Sequence, residues 1–366
     1  MTATDEAVRA ERARHLLDLA RSLARPVGDP VDLREGFDRY AAAVREVGDL
    51  VGKTGPSGDV GGSGGGAAAG SPAREEVGAF YGLAQQALDD PRAIQVIRTT
   101  APIAAAGRLQ AEAPGFAEAL QGHLDRYAWV RVRGRRFDPP GPRELFDRLQ
   151  AVVTRWPVEV VAGLAHPVDP DVALARLAGR PQVLVQAECI ARPFLRRIGE
   201  ALGCNLQQVL FSSPDELRAA LAGEASLPLA EIDSRIAQPE AVEGLVLLSG
   251  LTGCRGRAAG PVRVVLDASD LHRLEYGDVL VTAASTTDFA GGATVFPTRG
   301  GGPDALERAL AVVTDEGGAL SHGAIVCRER GIPCVLGVER ATSDLAEGRV
   351  VDVDATRQLG QVFTLD

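Results

Sequence analysis

Over the first two thirds of the chain, apolar residues recur at steps of three and four, the period of an amphipathic helix. Leu16, Leu19 and Leu23 define one helix over 5–25, with Thr4 or Asp5 placed to cap it. Leu33, Phe37, Tyr40, Val44 and Val47 put one apolar face on a second helix over 32–50. Val77, Phe80, Tyr81, Ala84 and Leu88 do the same over 75–89. Further helices are predicted at 92–110, 115–127, 142–155, 170–178 and 184–202, with Pro142 at a helix start, where proline is tolerated. After about residue 225 the pattern changes. Leu245–Leu248, Val262–Leu266, Val279–Val281, Ala311–Val313, Val335–Leu336 and Val350–Val353 are short β-branched runs between glycines and prolines, which read as strands. Helices at 304–310 and 322–330 interleave with them. The expected fold class is α+β with two domains: a mainly helical region over 1–224, a linker or hinge over 225–244, and an α/β domain over 245–366.

Residues 52–72 interrupt the helical pattern with glycine and serine, which supply no core, and are expected to form a flexible loop. Gly52–Thr54 imitates the end of a nucleotide-binding loop. That pattern needs a glycine at the position of Val47, and Pro56 would break the helix that should follow. Aromatic residues are only 4% of the 366, so aliphatic and alanine packing dominates, which suits helices. The net charge of −10 argues against a nucleic-acid partner held by backbone attraction. Arg131, Arg133, Arg135 and Arg136 are a local exception, read as a solvated face. Lys53 is the sole lysine. The five cysteines form no C-x-x-C pair and are odd in number, which fits a reducing cytoplasm better than a disulfide framework or a metal site. The N-terminus lacks an apolar signal core, and no run of about 18 apolar residues predicts a membrane span.

The chemistry concentrates in TDEGGALSHGAIVCRERGIPCVLG, Thr314–Gly337. The strand Ala311–Val313 ends at Thr314; Gly317 and Gly318 allow a sharp turn and close backbone approach. Ser321 and His322 then open a helix that Gly331 and Pro333 stop. His322 therefore sits at a helix N-terminus, where free N–H groups and the helix dipole favour a phosphate, and a neutral imidazole is a competent nucleophile. The hydroxyl of either Thr314 or Ser321 is a candidate to orient the ring, and Arg328 to hold negative charge. Asp315 and Glu316, beside the glycines, suit either partner steering or a solvated turn. His15, His123, His166 and His272 are isolated from any comparable pattern.

The segment resembles the active-site signature of the phosphoenolpyruvate (PEP)-utilising enzymes, such as pyruvate phosphate dikinase and phosphoenolpyruvate synthase, close to T-x-x-GG-x-x-SH-x-A-I-x-A-R-x-x-G-I-P-x-V-x-G. It matches at Thr314, Gly317, Gly318, Ser321, His322, Ala324, Ile325, Arg328, Gly331, Ile332, Pro333, Val335 and Gly337, and departs at Cys327, where the family has alanine. Upstream, Gly253–Thr282 is similar to the opening of the same domain, with Cys254 and Arg255 in place of a serine-proline pair. Thr286–Phe289 is similar to a family turn, and Gly291–Pro303 looks like an insertion. The resemblance implies a swivelling β/β/α-type domain with His322 as the phosphorylated nucleophile, Gly317 and Gly318 next to the phosphate, and Thr314, Ser321 and Arg328 around it.

Larger members of that family load the histidine from ATP on an ATP-grasp domain or from PEP on a barrel. The 244 residues before the α/β domain are helical and cannot supply a (β/α)8 barrel, which takes ~250 residues with alternating strands. The resemblance thus implies a separate phosphocarrier subunit, similar to split systems such as phenylphosphate synthase. It would bind no cofactor by itself; ATP and Mg2+ are expected at an ATP-grasp or PEP-binding partner, with a small-molecule phosphoryl acceptor. The rival expectation is a non-catalytic docking or regulatory module.

Overall fold

The computed structural model describes residues 3–25, 32–52, 71–132, 139–166, 168–178, 180, 182–238, 247–266, 268–283 and 305–365. The tract over 53–70, Arg133, Arg135 and Arg136, the Thr286–Phe289 turn and the insertion over 291–303 lie outside them. A helical N-terminal region precedes a strand-rich C-terminal domain. The helices are α1 (Ala3–Ala24), α2 (Leu33–Gly52), α3 (Pro72–Asp89), α4 (Pro91–Thr99), α5 (Pro102–Glu112), α6 (Pro114–Tyr127), α7 (Pro142–Arg155), α8 (Val158–Leu164), α9 (Pro170–Leu177), α10 (Gln182–Leu202), α11 (Leu206–Phe211), α12 (Pro214–Leu221), α13 (Leu229–Ala237), α14 (His322–Arg330) and α15 (Ala341–Asp344). Proline opens many of these, because its fixed φ suits the first helical position and its missing N–H would have no partner there. The same rule splits the single helix expected over 92–110: Pro102 starts α5 afresh after a break at Thr100 and Ala101.

By contacts the chain forms two compact units, and these draw a different line from the chain-order division at 224 and 245. One unit gathers α1, α2 and α9–α13. Leu16, Ala20 and Leu23 of α1 pack with Phe37 and Val47 of α2 and with Ala187, Ala191, Phe194 and Ile198 of α10. Helix α13 falls within the segment expected to be linker and buries Ile232 completely. Its Arg235 makes a two-pronged bond to Glu216 of α12, at 2.9 and 2.7 Å. The Arg235 guanidinium, helped by the Ser213 backbone N–H, holds the Glu216 carboxyl down at about 2. A carboxylate with a depressed native pKa adds stability above its ordinary value near ~4.3 and loses it as pH falls toward the native one. Protection of the α13 amides, taken as exchange relative to the intrinsic rate at each pH, should therefore fall between about pH 4 and pH 2. Glu216→Gln should remove this pH dependence; an unchanged profile in that variant would show that Glu216 is not its source.

The other unit gathers α3–α5, α6 up to Leu124, α7, α8 and the strand-rich domain. Strands β1 (Leu247–Cys254), β2 (Arg257–Val264), β3 (Val279–Thr282), β4 (Ala311–Thr314), β5 (Cys334–Leu336), β6 (Val350–Asp354) and β7 (Leu359–Thr364) close into a barrel of order β1-β5-β4-β3-β2-β6-β7. The run β2-β3-β4-β5 is parallel and the remaining pairs are antiparallel. β3, β4 and β5 are buried along their whole lengths, as parallel strands covered on both faces must be. Leu280, Val312, Ala324, Cys327, Ile332, Cys334 and Leu336 form a core between these strands and α14.

Helices α3 and α7 lie against β2. Arg74 of α3 donates to the Gly348 carbonyl (2.6 Å), Arg155 of α7 to that of Ala309 (2.7 Å), and the Trp156 indole to that of Glu307 (3.0 Å). The Trp156 ring stacks on Tyr81 and meets the edge of Tyr276. The barrel in this unit is thus clad by helices that come far earlier in the chain. No helix among the described residues is long and apolar enough to cross a membrane.

Candidate functional site

The site lies where the parallel strands end. β3 and β4 finish in register at Thr282 and Thr314, both fully buried. Beyond them the chain turns through Asp315–Ser321 into α14. The turn is tied to its neighbours by backbone bonds: Asp315 N–H to the Thr282 carbonyl (3.1 Å), Glu316 N–H to Ala283 (2.8 Å), and Val338 N–H to Thr314 (3.0 Å). Gly317 has φ 122°, a conformation closed to most side chains, and Gly337 must be glycine-like because a Cβ there would come 2.9 Å from the Gly317 carbonyl oxygen. Gly318 faces open space.

His322 is the first residue of α14 and is half-buried. Ser321 is the N-cap; its Oγ accepts from the Ala324 N–H at 3.3 Å. At the other end Gly331 closes α14 in the left-handed conformation (φ 64°), and the Ile332 N–H returns to the Cys327 carbonyl (2.9 Å). The helix start thus presents N–H groups and positive dipole beside the imidazole. Among the described residues, His322 Nε2 is buried without a hydrogen-bond partner, as is Thr282 Oγ1 at the end of β3. Unsatisfied buried polar atoms are uncommon, and a reactive site is one of the few settings that accounts for them.

The surrounding residues hold the turn and the helix through bonds to backbone groups. Thr314 Oγ1 donates to the Glu316 carbonyl (2.6 Å), so this hydroxyl fastens the turn. Neither it nor Ser321 bonds the Nε2 of His322. Arg328 donates to the carbonyls of Ala319 (2.8 Å) and Gly253 (3.3 Å), bracing the glycine turn against β1. The Gly253 carbonyl is reachable because the β1–β5 register shifts by one residue between Thr252 and Cys254. Asp315, half-buried, accepts from the Thr342 N–H (3.0 Å) and from the Thr342 hydroxyl, which anchors α15 to the turn. Thr282 went unnoticed in the sequence because nothing in a buried VLVT run marks its last residue; only its register with Thr314 brings it to the site. Leu320 stands 90% exposed beside the Ser321–His322 pair, and Ile325, one helical turn beyond His322, is also exposed.

Residues 302–358 match the family model of the PEP-utilising enzyme mobile domain. The matched stretch contains β4, α14, β5 and β6 of the barrel, with His322 among them, and is similar to that mobile domain. The chain is 44% identical over 120 residues to the phosphoenolpyruvate synthase of Pyrococcus furiosus, covering 33% of this chain and 13% of that protein. It is 33% identical over 162 residues to a probable phosphoenolpyruvate synthase of Methanothermobacter thermautotrophicus, covering 43% of this chain and 22% of that one. With an uncharacterized phosphotransferase of Bacillus subtilis, YvkC, it shares 30% identity over 202 residues, 45% of this chain and 23% of the relative. The chain thus spans under a quarter of the length of each of these relatives.

Proposed function

We propose that the chain is a phosphocarrier in a dikinase- or synthase-like phosphotransferase, with His322 as the residue that carries the phosphoryl group. The observation that bears most weight is the placement of the imidazole at the open N-terminus of α14, directly after a glycine turn held at the ends of β3 and β4. A neutral ring nitrogen attacks the phosphorus of the donor and the donor's leaving group departs with the bond pair. The phosphate oxygens on the imidazole then face the free N–H groups of the helix start. Attack on this phosphorus by the acceptor's oxygen returns the electron pair to the ring nitrogen, which leaves as a good leaving group once the other ring nitrogen is protonated. Ser321, Thr314 and Arg328 act by holding the turn that aims the ring. The family likeness and the phosphotransferase and synthase names of the relatives support the same reading.

Donor chemistry is assigned to a partner: an ATP-grasp protein with ATP and Mg2+, or a PEP-binding protein, with a small-molecule acceptor and a cytoplasmic setting. The body that moves between donor and acceptor is proposed to comprise the barrel with the helices α3 and α7 bonded to it. The test is phosphate uptake by the purified full chain from labelled ATP and labelled PEP. No uptake is expected from either alone, and near-stoichiometric uptake from one of them once the loading partner is added. Uptake by the chain alone would refute the partner requirement. No uptake with any ATP-grasp or PEP-binding protein encoded beside it would favour a docking or regulatory module.

A further inference from the structure

Beside β1 lies an open depression of about 340 Å3, walled by Arg255, Arg328 and Arg357 together with Thr252, Cys254 and Gln358. It is formed where the turn after β1 meets the turn between β6 and β7. Among the described residues no carboxylate lines it, in a chain whose net charge is −10. Elsewhere on the barrel, arginines are paired: Arg257 with Asp352 (2.7 Å), Arg263 with Asp278 (2.9 Å), Arg273 with Glu347 (2.6 Å). Arg255 and Arg357 are exposed, and among the described residues neither meets an acidic side chain. Glu144 and Asp147 line a separate depression that Arg255 also borders. Arg328 spends two N–H groups on the Ala319 and Gly253 carbonyls; a guanidinium has five, which leaves donors for the cleft. The rim is fixed in place, since the Thr252 hydroxyl donates to the Arg357 carbonyl (2.6 Å) and the Thr252 N–H to that of Gln358 (3.1 Å).

We infer that this cleft is a binding site for a phosphate dianion, carried by a phosphorylated small molecule. Three arginines lining one space suit a tetrahedral group with three terminal oxygens and two charges better than a carboxylate with one charge. Because Arg328 also braces the turn that leads into His322, an anion held here rests against the support of that turn. The inference stands apart from the phosphocarrier role, because binding needs neither a partner nor a reactive His322.

The test uses inorganic phosphate as probe, titrated calorimetrically into the full chain at fixed ionic strength, with acetate as the comparison. Saturable phosphate binding is expected, with acetate weaker by about tenfold or more. The Arg255→Gln/Arg357→Gln variant removes two exposed side chains without an acidic partner, so circular dichroism should be unchanged while phosphate affinity falls by about tenfold or more. Alkylation of Cys254, mapped by peptide mass, should slow when phosphate is bound in the wild type and not in the variant. Absence of saturable phosphate binding, equal affinity for acetate, or unchanged affinity in the double variant would each overturn the assignment.

Discussion

His322→Ala is expected to abolish phosphoryl transfer through this chain, a loss of roughly four orders of magnitude or more, while leaving the fold in place. The size of the effect follows from covalent participation: without a ring nitrogen no phosphoramidate forms, and no neighbouring group can substitute. Stability should change by no more than about 1 kcal/mol. Nε2 of His322 has no hydrogen-bond partner among the described residues, so the substitution breaks none of theirs at that atom, and the half-buried ring leaves no large core cavity. The Ser321 cap and the Gly331 stop, which set the ends of α14, are untouched. The check is transfer assayed alongside denaturant unfolding. Retained transfer in a folded His322→Ala chain would remove the histidine from the mechanism.

Arg148→Met should have the largest effect on stability, a loss of about 3–5 kcal/mol. Glu76 of α3 and Arg148 of α7 are 2% and 6% exposed and meet at 2.7 Å, with the His123 ring 3.5 Å from the same Glu76 oxygen. The Arg148 guanidinium also lies over the Phe80 ring, 4.1 Å from its centre. Methionine keeps most of the volume but takes the Arg148 guanidinium from the Glu76 carboxylate in a water-poor interior, and that weakened compensation is the cost. Glu76→Leu/Arg148→Met should recover much of the loss, because neither charge then remains to be solvated. These helices clad the barrel, so the single variant should also loosen the packing around Trp156. A change in the unfolding midpoint equivalent to less than about 1 kcal/mol would show that the pair behaves as an exposed one.

The strand-rich domain was legible in the sequence where strands are uniformly β-branched, as at β3, β4 and β6. It was obscured where glycine sits inside a strand. β1 and β2 run through Gly250, Gly253 and Gly260, which read as turn punctuation. In the barrel these positions admit close neighbours: a Cβ at Gly250 would meet the Leu336 carbonyl oxygen at 2.4 Å, at Gly253 the Cys334 sulfur at 2.6 Å, and at Gly260 the Gly277 carbonyl oxygen at 2.2 Å. Strand β7 escaped notice for a related reason, since Leu359–Thr364 mixes glycine and glutamine with its apolar residues and gains its strand character from pairing with β1 and β6. Helix α13 was hidden by its short length, although its Ile232 is fully buried.

At the site, the order strand, glycine turn, capped helix could be read directly, and the structure places His322 at the first position of α14. What each neighbouring side chain bonds could not be read. Thr314, Ser321 and Arg328 each satisfy a backbone group of the turn or the helix, and which group depends on how β1, β4 and α14 come together. The grouping of α3–α8 with the barrel was equally out of reach, because helical periodicity reports that a face is buried and not what buries it.

The central claim is tested most directly by mapping the phosphate itself. The full chain is loaded from labelled ATP or PEP by its partner, digested at alkaline pH, and sequenced by mass spectrometry. One acid-labile, base-stable phosphate on His322 is the result expected. Phosphate on another of the histidines, or on a serine, threonine or aspartate in a chain whose His322 stays unmodified, would contradict it.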